Sequence, residues 1–164
     1  MNLARAAFVA AAVACLAQDA YYFGRLPAVV ASHFGPSGAP DAWMPRAGFA
    51  GLYAFVVLFL AAALTLSTRR AKALPDSRLN LPRKDYWLAP ERREATLSEI
   101  EARMFVFGAA TFVLLFDVFG QAFRVGRGQA PQLDHPRLSL GLYTSFIVVW
   151  MTAFVRRLRR VPPA

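Results

Sequence analysis

Four stretches of the chain carry apolar residues over the length of a bilayer crossing. Residues 47–68 form a run of 22 positions without a charge, and residues 138–155 form another of 18. A helix needs about 20 such residues to cross a hydrocarbon layer roughly 30 Å thick. Residues 104–123 are interrupted only by Asp117, and residues 6–24 only by Asp19. The pattern predicts an all-α integral membrane protein with four transmembrane helices, arranged as a single domain over residues 1–164. An outer loop (25–46), a basic inner loop (69–103), an outer turn (124–137) and a basic tail (156–164) connect and follow them.

The first stretch also has a signal-peptide reading, because Arg5 precedes an Ala-rich apolar run and Ala12-Val13-Ala14-Cys15 approximates a lipoprotein processing site. Leu16 and Ala17 continue the run through Tyr21, Tyr22 and Phe23. That length favours an uncleaved span.

Composition agrees with the pattern: 57% of the residues are hydrophobic, against roughly 45–50% in ordinary soluble domains. The formal net charge is nevertheless +9, so the placement of the cations decides between a nucleic-acid face and a membrane topology. Nine Lys and Arg residues fall in 69–103 and four in the short tail, against two in the outer loop and three in the outer turn. Cytoplasmic loops of inner-membrane proteins carry this excess. The expectation is therefore an inner-membrane protein with both termini cytoplasmic, its basic face against anionic lipid, and without a nucleic-acid partner. The lone Cys15 leaves no intramolecular disulfide and no all-cysteine metal site within one chain.

The outer loop is dense in Pro and Gly, which favours defined turns over a long helix. Pro27 suits the first position of a short helical turn from Leu26 to Ser32. In the inner loop, Pro90-Glu91 reads as a helix start. Leu97, Ile100 and Met104 continue an apolar stripe into the third span, with Tyr86 and Trp87 expected at the inner interface.

Leu26-Pro27, His33-Phe34, Gly38 and Pro40-Asp41 after the first span, with Asn80-Leu81-Pro82 and Lys84-Asp85-Tyr86-Trp87 before the third, make up a pattern. It resembles the bacterial membrane family called domain of unknown function 1648. That family is similar to the N-terminal part of SdpI-type immunity proteins, which protect a cell from a secreted toxin and, in the founding system, also hold a repressor at the membrane. The longer immunity proteins continue into a further membrane portion, which is not expected within these 164 residues. The resemblance implies the fold and the location. It also makes His33, Phe34, Gly38 and Asp41 candidates for recognising an extracytoplasmic peptide or a membrane-protein partner, and Asn80, Pro82, Lys84, Asp85, Tyr86 and Trp87 candidates for a cytoplasmic interface.

Pro45-Arg46 before Gly51-Leu52-Tyr53 echoes Pro136-Arg137 before Gly141-Leu142-Tyr143. Each string opens a span that follows an acid-bearing one, which suggests two hairpins in parallel orientation; chance similarity within a restricted membrane alphabet is the alternative. Within the spans, Asp117, Gln121 and Arg124 are spaced to share one helix face. Asp117 lies 13 positions beyond Met104, about 20 Å along the third span at helical rise. Gln18 and Asp19 are expected to face that group.

The cluster reads either as a polar site or as interhelical bonds that hold the bundle together. His33 and His135 come from different loops without ligand spacing, so no metal is expected, and no cofactor motif is present. No motif for nucleophilic or paired-carboxylate catalysis stands out, so enzyme activity is not expected. Three functions remain: an immunity or sensor protein with an outer recognition loop, a proton- or solute-handling subunit using Asp19 and Asp117, and a structural subunit of a membrane complex.

Overall fold

The structure is a computed structural model and describes residues 2–160. Four helices are long and apolar enough to cross a membrane: α1 (Leu3–Phe23), α2 (Arg46–Ala73), α4 (Arg93–Gly126) and α5 (Pro136–Arg159). A short helix α3 (Lys84–Trp87) and a single 3₁₀ turn (Asp76–Arg78) lie between α2 and α4. Helices cover all four expected spans: α2, α4 and α5 extend beyond them at both ends, and α1 starts earlier and stops one residue sooner, at Phe23. Basic residues sit in the last turns of α2 and α5, where the negative end of the helix dipole favours them.

Two expectations about the loops need correction. The outer loop holds no helical turn from Leu26 to Ser32. It forms an antiparallel hairpin of β1 (Val29–Phe34) and β2 (Pro40–Pro45), with Val30 opposite Met44 and Ala31 opposite Trp43. The β-branched pair Val29-Val30 disfavours a helix, and burying Val30 and Ala31 decides in favour of the strand. At the other loop, Ala89 to Arg92 are taken up by turns, so α4 starts at Arg93, two residues after Glu91. The expected helical extension ahead of the third span is present, because α4 continues unbroken from Arg93 through Met104.

α1, α2 and α4 form the packed core. Phe8 stacks in tilted contact with Phe105 and Phe112, Tyr53 lies flat on Phe119 at 3.8 Å between ring centroids, and Tyr22 lies on Phe123 at 4.7 Å. Gly108 is the point of closest approach. A β-carbon there would stand 2.6 Å from the Phe8 ring and 2.7 Å from Leu64, so the three helices meet over a residue that has none. The Cys15 thiol is buried and donates to the Phe112 carbonyl at 3.3 Å.

α5 packs on α4 and contributes one buried side chain, Leu158. At helical rise α4 is about 51 Å long, well beyond the hydrocarbon thickness, and its two ends hold the loops. Past Asp117 it runs beside the hairpin, where Leu26 and Val30 close on Gly126. Gly38, at φ +86° in the hairpin turn, accepts a backbone hydrogen bond from Leu133 at 2.9 Å, tying the hairpin to the turn between α4 and α5.

The opposite end of the bundle gathers the start of α1, the loop of α3 and the last turns of α5. Fourteen of the nineteen Lys and Arg residues lie there. The two proposed hairpin repeats are not alike in structure, since only the first carries a β-ribbon between its helices.

Candidate functional site

Three polar groups stand out, two at the hairpin end and one at the basic end. The first is the hairpin. His33 Nδ1 and Asp41 Oδ1 pair across it at 2.5 Å, with side chains 71% and 51% exposed, so the pair faces outward. Trp43, opposite Ala31 on β2, is also exposed. Phe34 and Gly38 have other tasks. Phe34 packs against the core and Gly38 supplies the left-handed turn residue. Of the four sequence candidates, two therefore present chemistry and two shape the loop that presents it.

The second group surrounds Asp117. Ser139, in the first turn of α5, donates to Asp117 Oδ2 at 2.5 Å, and Gln121 Nε2 donates to the same oxygen at 2.7 Å. His135 Nε2 stands 3.3 Å from Asp117 Oδ1, while its backbone N–H donates to Gln121 Oε1 at 3.0 Å. Contact with the first turn of α5 places Asp117 level with the opening of the last span. Nine further residues of α4, about 13 Å at helical rise, extend beyond it.

Ser, His and Asp meet here, but the carboxylate is the central member and the hydroxyl donates to it. A nucleophile relay would put the imidazole between the other two, so this geometry is that of a carboxylate held by donors from two helices. Ser139 went unnoticed in the sequence. The only available signal was its position three residues after Pro136, inside the start of a helix.

The expected single cluster is divided. Arg124 shares the face of Asp117 but turns to Asp134 at 2.5 Å. Gln18 accepts from the Tyr53 hydroxyl at 2.9 Å and donates to the Phe116 carbonyl at 3.0 Å, joining α1, α2 and α4. Asp19 is buried, 8% exposed, and its Oδ1 has no hydrogen-bond partner among the described residues. Arg25, just past the end of α1, lies over the Tyr21 ring at 3.8 Å from its centroid. Gln18 and Asp19 thus belong to the core side of α4, and Asp117, Gln121 and His135 to the α5 side.

The third group is the Asn80–Trp87 motif. Trp87 was expected at the membrane interface. It is buried, and its Nε1–H donates to the Leu158 carbonyl at 2.7 Å, with the Arg157 guanidinium 4.4 Å from the ring centroid. Arg157 also reaches Glu99 of α4 at 3.2 Å. The strap of α3 therefore closes over the end of α5. Tyr86 is half-buried under Arg92, whereas Asn80, Pro82, Lys84 and Asp85 remain exposed, Asn80, Lys84 and Asp85 lining a surface depression of about 480 Å³. Arg83 enters α3 through a left-handed conformation, φ 54°, which turns the chain sharply after Pro82.

No group of three or more His, Cys, Asp or Glu residues suited to a metal ion occurs among the described residues.

Taken together, these features describe a four-helix membrane protein with a small β-ribbon at one end of the bundle and a basic strap at the other. Residues 10–60 match the family model described as Domain of unknown function (DUF1648). The matched stretch includes Gln18, Asp19, the whole hairpin with His33 and Asp41, and Tyr53; the Asn80–Trp87 motif and the Asp117 group lie outside it. Neither curated proteins nor solved structures gave a match.

Proposed function

We propose that this chain is a membrane-embedded recognition protein of the immunity or signalling kind, similar in role to SdpI-type proteins. The hairpin end faces the extracytoplasmic side of the inner membrane and receives a peptide or a membrane-protein partner. The basic end, with both ends of the chain, lies on the cytoplasmic side against anionic lipid. The observation that carries this reading is the hairpin itself. Family-matched sequence builds a ribbon that is anchored through Leu26, Val30, Phe34 and Gly38 and presents the His33–Asp41 pair and Trp43 outward. A rigidly held loop with exposed polar and aromatic groups suits recognition, and a two-stranded ribbon offers an unpaired strand edge to an extended peptide.

Two experiments test it. Cys15 is buried, so cysteines introduced at the exposed Ser37 and Ser77 report sidedness with little background. An impermeant maleimide is expected to label Ser37→Cys from outside intact spheroplasts and to leave Ser77→Cys unlabelled; the reverse pattern refutes the orientation. Capture of the tagged protein from its native membrane is expected to retain a stoichiometric partner, lost in His33→Ala and Asp41→Ala at unchanged folded yield. Equal retention by both variants refutes the recognition role.

The proton- or solute-handling reading draws support from Asp19, whose buried oxygen lacks a partner. It ranks second because Asp19 and Asp117 lie in separate polar groups. It predicts a flux in proteoliposomes that Asp19→Asn abolishes.

A further inference from the structure

Between α4 and α5 runs a groove of about 530 Å³, within the roughly 300–1,000 Å³ of typical small-molecule sites. Its walls are apolar: Ala110, Val113 and Leu114 from α4, and Leu138, Leu142 and Phe146 from α5. Val113, Leu138 and Leu142 are 62%, 59% and 65% exposed, so the groove is open to the surrounding membrane. Ala110 and Phe146 each lie seven residues from the polar pair Asp117 and Ser139, so the apolar walls extend about 10 Å from that pair at helical rise. At that one end stand Asp117, His135 and Ser139, the carboxylate side chain 38% exposed.

This is the layout of a site for a molecule with one apolar tail and one compact head. Ser139 and Gln121 both donate to Asp117 Oδ2, whereas Oδ1 has only the more distant His135 ring nitrogen. Of the arginines flanking this end in sequence, Arg124 is engaged by Asp134 and Arg137 donates to the Pro36 carbonyl. The head that complements this end is therefore a hydrogen-bond-donating cation. An anionic head would meet the carboxylate, and a quaternary ammonium would bring charge without an N–H to donate.

We propose that the α4–α5 groove binds a long-chain primary amine carried in the membrane, with its alkyl chain between the two helices and its ammonium on Asp117. The site is independent of hairpin recognition and stands or falls without it.

The test uses the full-length protein in phosphatidylcholine nanodiscs, with dodecylammonium as the probe and dodecyltrimethylammonium and dodecanoate as competitors. A charge-assisted hydrogen bond in place of a bare contact favours the primary amine by about tenfold over the trimethylated probe, and dodecanoate competes least. Asp117→Asn is expected to remove the preference. Leu142→Trp fills the groove from its exposed wall without touching the Asp117 hydrogen bonds, and is expected to abolish probe binding. If Asp117→Asn does not fold, Leu142→Trp decides the matter. Equal competition by all three amphiphiles, or tight dodecylammonium binding that survives Leu142→Trp, overturns the proposal.

Discussion

The three-helix core and the fourth membrane helix are held by different physics. α1, α2 and α4 interlock through aromatic rings and the close approach at Gly108, with polar links from Tyr53 through Gln18 to the Phe116 carbonyl and from Cys15 to the Phe112 carbonyl. α5 buries little and is fastened at three levels by polar groups. These are Ser139 on Asp117 near one end, Tyr143 on Thr111 at 2.7 Å along the span, and Leu158 under Trp87 with Arg157 on Glu99 at the other end. In a bilayer the lipid competes equally for apolar surface, so close packing and hydrogen bonds must supply the specificity of helix association. The core uses mainly the first and α5 mainly the second. α5 is accordingly expected to loosen before the three-helix core does.

Substitutions separate the two modes, the largest effect coming from glycine. Gly108→Leu forces a side chain into Phe8 and Leu64 and is expected to cost about 3 kcal/mol in detergent unfolding. Gly141→Leu on α5, where no atom lies within 4 Å of the added β-carbon, is expected to leave stability unchanged. An equal loss at both positions would remove the distinction between core and clasped helix. Trp87→Ala leaves the Leu158 carbonyl and the Arg157 stack without their partner and is expected to cost about 2 kcal/mol. Hydrogen exchange should rise in the last turns of α5 and stay constant in α1 and α2. Asp117→Ala strands the Ser139 and Gln121 donors, an expected loss of about 1–2 kcal/mol, again confined to α5 by hydrogen exchange. Tyr143→Phe removes a single interhelical hydrogen bond and is expected to cost about 0.6 kcal/mol, the usual size of such bonds in membranes. A larger loss there would make Thr111–Tyr143 the main fastening and sharpen the account accordingly.

The spans were legible because their signal is local: a charge-free run of 22 residues between polar flanks specifies a helix whatever surrounds it. The stripe of Leu97, Ile100 and Met104 likewise revealed that the helix of the third span begins well before Met104. The hairpin was not read, since Val29-Val30 offered a strand signal that Pro27 obscured, and only burial against Gly126 decides between them. Helical spacing placed Asp117, Gln121 and Arg124 on one face. It could not reveal that Arg124 would turn to Asp134 or that Ser139 would close on Asp117, because both contacts depend on where α5 docks. Trp87 shows the same limit, an aromatic suited to an interface by type and made into a clasp by the return of α5.

The central functional claim is that the hairpin is a recognition face, and site-directed photo-cross-linking tests it most directly. A photoreactive amino acid is placed at Trp43 on the hairpin and, as the comparison, at Leu140 on the exposed side of α5. After irradiation in the native membrane, position 43 is expected to give one discrete protein or peptide adduct, abolished by His33→Ala, and position 140 only lipid adducts. Lipid adducts alone from both positions, or a hairpin adduct indifferent to His33, would contradict it.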